Sequence, residues 1–233
     1  MPTTPADTTE PDRDRETVPF SDLARAAYCP RQLYYERRTD RTVPEAARRR
    51  ITLAFRYPEL RRTDRATLAE EPVALDPDEY RERVETLADR DDWSALVDPS
   101  EDRFLLAGKD CHGRVHKLLP GAPPTPVIVS PGAPPDEGVW EPQTVRAVAA
   151  AKALAWTREE KIPRAIVEYP THAVVRSVRL TVRKTAAYRR ALRTARSIDG
   201  PPSRLADSAK CDPCPHREEC GVETRSLRSR LGL

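Results

Sequence analysis

Apolar positions along the chain switch period several times, and each switch marks an element. From Val18-Pro19-Phe20 onward, Leu23, Ala27 and Tyr34 recur at helical spacing. Ser21 is the predicted N-cap, with Asp22 in the first turn. Cys29-Pro30 interrupts this run, and Pro30 opens a second helix through Tyr35. Residues 76–90 carry a stripe of Tyr80, Val84 and Leu87 that predicts another helix. The period then shortens. Short apolar runs at 103–107, 114–119 and 126–129, separated by Gly- and Pro-rich turns, predict a hairpin or meander. Glu141 to Glu160 is alanine-rich and predicts the clearest helix. Strands are predicted at 164–169 and 173–180, and a long helix capped by Thr181 runs to about Ile198. The order is α/β, and no internal repeat is present.

Composition narrows the class. The chain has 233 residues, of which 38% are hydrophobic and 33% charged, enough for one large domain with a modest core. Net charge is only +3, so nucleic acid is not demanded by charge alone. No run of about 20 apolar residues predicts a membrane span, and the N-terminus lacks the basic start and apolar run of a secretory signal, so a cytoplasmic location is expected. Residues 1–17 are polar and Pro-rich and are expected to be a disordered tail. A single domain is expected over 18–233, mainly helical to 100, an α/β core over 101–199, and a cysteine segment over 200–222.

Arginine is concentrated in two places. Arg41, Arg48, Arg49, Arg50, Arg56, Arg61, Arg62 and Arg65 form the first, and Arg183, Arg189, Arg190, Arg193 and Arg196 lie on the last long helix. Each reads as a solvated face or as a phosphate-contacting surface.

Five cysteines remain to be placed. Cys211, Cys214 and Cys220 have C-x2-C-x5-C spacing, and Cys29 lies almost a chain length away. Two thiolates two residues apart can reach one metal centre without strain, and a four-thiolate site needs a distant fourth. Zinc and an iron–sulfur cluster both suit such a set. Cys111, His112 and His116 could also hold zinc but read more simply as turn and hairpin residues, and His216 as a loop residue.

Tyr28-Cys29-Pro30-Arg31-Gln32-Leu33-Tyr34-Tyr35, a strand–strand–helix middle, Val167-Glu168-Tyr169-Pro170-Thr171 and the closing cysteines together resemble the CRISPR-associated iron–sulfur exonuclease. That family, the fourth numbered Cas protein, is a RecB-like branch of the PD-(D/E)XK nuclease superfamily. The resemblance implies a RecB-like restriction-endonuclease-type core, a mixed sheet flanked by helices. It also implies a [4Fe–4S] cluster on Cys29, Cys211, Cys214 and Cys220. The implied activity is 5′–3′ DNA cleavage, and the implied partners are single-stranded or splayed DNA and the CRISPR integrase proteins.

The family's cutting residues are absent. It needs G-x-x-D and E-x-K to hold Mg²⁺ or Mn²⁺ and steady the attacking water. Here Gly113-Arg114-Val115-His116 stands at the first, and Ile128 and Ser130 replace the Glu and Lys of the second. Val145 to Ala150 replaces the helix motif Q-x-x-x-Y, and no histidine lies between Cys29 and Gly108. No catalytic residue is therefore assigned. The expectation is an inactive DNA-binding or adaptation-complex subunit. The alternatives are an active exonuclease rearranged around Asp110, Asp136, Glu137 or Glu141, and a zinc- or cluster-stabilised scaffold with no DNA role.

Overall fold

The computed structural model describes residues 17–39, 42–205 and 208–221. Residues 1–16 of the tail expected over 1–17, and Arg41, lie outside them. The described residues form ten α-helices and six strands. A two-residue strand β1 (Val18–Pro19) leads into α1 (Phe20–Tyr28) and α2 (Pro30–Glu36). Five short helices follow: α3 (Glu45–Thr52), α4 (Tyr57–Leu60), α5 (Arg65–Ala69), α6 (Pro77–Ala88) and α7 (Trp93–Val97). Then come β2 (Glu101–Ala107), β3 (Cys111–Leu119), β4 (Thr125–Val129), α8 (Glu141–Arg158), β5 (Arg164–Tyr169), β6 (Val174–Arg179), α9 (Val182–Ser197) and α10 (Ser208–Cys211).

The six strands form one mixed sheet in the order β1-β3-β4-β5-β6, with β2 also on β3. Strands β2, β3 and β4 are an antiparallel meander, whereas β4 and β5 run parallel. A parallel pair needs a crossover, and α8 supplies it. The α/β class with a mixed sheet flanked by helices is therefore present.

Period-2 alternation sorts the central strands onto two covers. Ile128 and Val167 join the large core beneath α1, α8 and α9. Their neighbours Val127 and Ile166 pack with Leu96 and Leu119, and Val129 joins Leu53, Tyr57, Leu60, Tyr80 and Val84. The short helices α3–α7 thus cover the opposite side of the sheet. All five residues of β4 are buried, as a strand covered on both faces requires. No helix among the described residues is long and apolar enough to cross a membrane.

Local signals explain most boundaries. Asp76 caps α6 by accepting from Asp78 N at 2.9 Å, and Asp64 caps α5 by accepting from Thr67 N at 3.0 Å. Thr181 caps α9 through Lys184 N at 3.4 Å. Ser21 is not a cap: α1 begins two residues earlier than that cap would place it, with Pro19 at its N-cap position. Tertiary pairing moved this boundary, because β1 lies parallel to β3 and drives Phe20 into the core. A Cβ on Gly113 would stand 2.6 Å from the Phe20 ring, so this close approach requires glycine in β3. Cys111 is likewise not a turn residue. It opens β3 and is fully buried, its Sγ 3.4 Å from Tyr188 Oη. Burial pushes its thiol up to about 11.

A candidate metal centre and a buried ion pair

The α1–α2 junction places the first cysteine. Cys29 ends α1 in extended geometry and is at once the N-cap of α2, so the backbone turns there. The tail folds against this corner in tight turns. Cys214 N donates to Cys211 O at 3.1 Å, and Cys220 N to His216 O at 2.8 Å. All four cysteines, Cys29, Cys211, Cys214 and Cys220, line one cavity of about 90 Å³. Cys111 lies elsewhere, in the core beneath α8 and α9.

Arg31 ties the two ends together. Its Nε donates to Cys220 Sγ at 3.1 Å, Nη1 to Pro202 O at 2.7 Å, and Nη2 to Tyr35 Oη at 3.3 Å. Tyr35 donates in turn to Glu219 O at 3.1 Å and stacks on His216, with ring centres 5.6 Å apart. His216, expected as a plain loop residue, is thus a packed wall of the cavity. Burial works against the Arg31 charge, but Cys220 and Tyr35 more than offset it and the guanidinium's pKa is raised. Arg204, Lys210 and Arg217 complete a cationic lining suited to thiolates. Among the described residues, no three Cys, His, Asp or Glu side chains converge as a single ion would require.

The segments where the resemblance leads one to expect G-x-x-D, E-x-K and Q-x-x-x-Y lie on β3, on β4 with Ser130 just after it, and on α8, which pack together. His116, expected as a hairpin side chain, is 4% exposed, and its Nδ1 accepts from Val129 N at 3.1 Å. Burial, with the positive charges of Arg146, Arg114, Lys117 and Arg103, holds its pKa well below the usual histidine range. Ile128 is fully buried in the large core, and Ser130 is 4% exposed. Hard cations need carboxylate oxygens, and this corner offers an aliphatic side chain and basic groups. Two of the four acids considered as substitutes are ion-paired. Asp110 pairs with Arg196 at 3.1 Å and Glu141 with Arg190 at 3.4 Å, while Asp136 accepts from Arg176 through its backbone carbonyl at 3.0 Å. Glu137 borders a groove with Arg183 and Arg190.

One buried constellation had no sequence prediction. Lys117 and Glu168, both fully buried, form an ion pair at 3.0 Å between β3 and β5. Lys117 Nζ also donates to Ala54 O at 2.6 Å and Leu96 O at 2.8 Å, and lies 5.1 Å and 5.4 Å from the rings of Phe55 and Tyr57. Burial raises the Glu168 pKa, while Lys117 pulls it down. The available signal was a charge inside each apolar run, His116-Lys117-Leu118 and Val167-Glu168-Tyr169. β3 and β5 flank β4 in the sheet, and two such charges buried on one face across a single strand offset each other's burial by pairing.

Part of the first arginine-rich region is neutralised internally. Arg56 bonds Glu59 and Glu71, Arg61 pairs with Glu85, and Arg65 pairs with Asp76 and Asp78.

No protein-family model matches the chain, and no curated protein matches it. Among solved structures, one described as "Crystal structure of SSO0001" is similar over 91% of this chain and 89% of that chain. Its identity is 12% and its TM-score 0.43, values that carry no argument about fold or function.

Proposed function

We propose that the chain is a RecB-like member of the CRISPR-associated iron–sulfur exonuclease family that has lost catalysis and serves as a DNA-binding or adaptation-complex subunit. The observation that carries this reading is the meeting of Cys29 with Cys211, Cys214 and Cys220 around one cavity. The donor set fits a [4Fe–4S] cluster: four thiols, a cationic wall and a guanidinium N–H on Cys220 Sγ. When bound, such a cluster supplies a rigid cross-link with electron-transfer capacity. The chain's own residues do the rest: Arg31 positions Cys220, and Tyr35 with His216 shapes the wall. The same four thiols also suit a closed zinc site.

Loss of catalysis rests on His116, Ile128 and Ser130 at the ligand and lysine positions of the family. The experiment is anaerobic purification followed by a visible spectrum, iron and sulfide analysis, and nuclease assays with Mn²⁺ on single-stranded DNA. The reading expects brown protein with stoichiometric iron, no degradation, and DNA binding that weakens steeply with salt. Colourless zinc protein would overturn the cluster. Degradation lost on Asp110→Ala would establish a rearranged nuclease, and salt-insensitive absence of DNA binding would leave a scaffold.

A further inference from the structure

We infer that Arg31 makes the four-cysteine site easier to reduce, by donating its Nε–H to Cys220 Sγ, where an added electron places negative charge. The inference rests on the cluster reading and gives that site an electron-carrying role beyond its role as a staple. It starts from a guanidinium with three committed corners. Arg31 Nε reaches Cys220 Sγ at 3.1 Å, Nη1 reaches Pro202 O at 2.7 Å, and Nη2 reaches Tyr35 Oη at 3.3 Å. A planar fork held at three points cannot turn away from the sulfur. Tyr35 is itself fixed. Its hydroxyl donates to Glu219 O at 3.1 Å, and its ring stacks on His216 with centres 5.6 Å apart. The brace thus meets the tail at Pro202, before the three clustered cysteines, and at Glu219, beside the last of them.

The charges around the cavity favour an added electron. Its walls carry Arg31, Arg204, Lys210 and Arg217 beside the four cysteines, and no Asp or Glu among the described residues. Arg217 is drawn toward Asp212 at 3.4 Å, whereas Arg31 places an N–H on a sulfur. Arg31 and Cys220 are both half-buried, so water screens their contact only in part.

An electron entering the site adds one negative charge, shared over the ligating sulfurs, and hydrogen bonds to those sulfurs help to set the potential. No bond forms or breaks, and the electron comes from a one-electron donor in solution. A charge-assisted hydrogen bond strengthens as its acceptor gains charge, so Arg31 stabilises the reduced state more than the oxidised one. A brace without this contact would hold both states equally and leave the potential unchanged.

The test is a potentiometric titration of the anaerobically purified full chain with dithionite as the electron donor. Visible absorbance and electron paramagnetic resonance report on the iron-loaded fraction. Arg31→Met should shift the reduction equilibrium toward the oxidised state by roughly tenfold, the scale of one hydrogen bond to a charged group. That is a midpoint about 59 mV more negative for a one-electron couple. Arg31→Lys restores the charge without the fork and should recover part of the shift. Tyr35→Phe keeps the guanidinium and removes the hydroxyl that steadies it. It should move the midpoint the same way by less, and it carries the test if Arg31→Met holds too little iron. Arg217→Met should move the midpoint less than Arg31→Met. Iron-bearing protein with one midpoint in wild type, Arg31→Met and Tyr35→Phe overturns the inference and leaves the cluster reading standing. An equal shift in Arg217→Met assigns the effect to the charge of the wall and overturns the role of the hydrogen bond. Colourless protein without iron overturns the cluster reading and this inference with it.

Discussion

At the scale of single residues, the strongest commitments are buried charges. Lys117 and Glu168 are both sealed, so neither can fall back on water when its partner is removed. Lys117→Met should therefore destabilise the fold by about 3–5 kcal/mol. Lys117→Met combined with Glu168→Leu should cost less than the sum of the single changes, though Ala54 O and Leu96 O lose their donor in both. Urea unfolding of the two single variants and the double variant measures the coupling, and additive losses would contradict a paired role. His116 makes a prediction in pH. Its folded pKa is depressed, so the unfolded chain binds the extra proton first. Stability is complete above the ordinary histidine value of about 6.5 and falls as pH drops toward the folded value, by about 1.4 kcal/mol per pH unit. His116→Asn keeps an acceptor for Val129 N, so its stability should lack this slope. These roles were hard to read beforehand. A lysine or glutamate within an apolar strand names no partner until the strand order is known.

Among elements, α8 is the one on which the others depend. It packs on β3, β4 and β5 and meets α1 and α9. Its alanines allow that proximity, and the β2–β3 turn uses it fully. A Cβ on Gly108 would lie 2.5 Å from Ala153 Cα, a backbone atom of α8 that cannot step aside. Gly108→Ala should cost about 1–3 kcal/mol through overpacking, seen as a lower urea midpoint with an unchanged slope. No measurable change would mean that the turn is free to lift from the helix. The helical and strand periods were legible because burial on one or two sheet faces imposes them. The start of α1 was not, because the capping signal at Ser21 yielded to strand pairing by Val18 and burial of Phe20. The first residue of β3 was missed for a similar reason: Gly108 to Gly113 looks like a turn locally, but Cys111 pairs with Val18 across the sheet.

On the scale of the molecule, the chain closes on itself at Cys29 and the 211–220 segment. Arg31 reaches Pro202 and Cys220, and Tyr35 reaches Glu219, so α2 holds the tail even through protein contacts alone. Cys29→Ser should lower the bound iron or zinc per chain and speed proteolytic cleavage within 200–221, with little change in the sheet's urea midpoint. Arg31→Met should speed that cleavage while retaining part of the metal, whereas retention of full metal content by Cys29→Ser would exclude Cys29 as a ligand. The cysteine spacing, the alternation of helical and strand periods, and the presence of His116, Ile128 and Ser130 in the β3–β4 segment were all present in the linear order of residues. They follow from local chemistry, which short-range spacing records. Which charges would be buried together was set by folding. Lys117 meets Glu168, and Cys29 faces a tail nearly two hundred residues away, because strand order and helix packing bring remote positions together, and in a low-dielectric interior an unpaired charge is expensive.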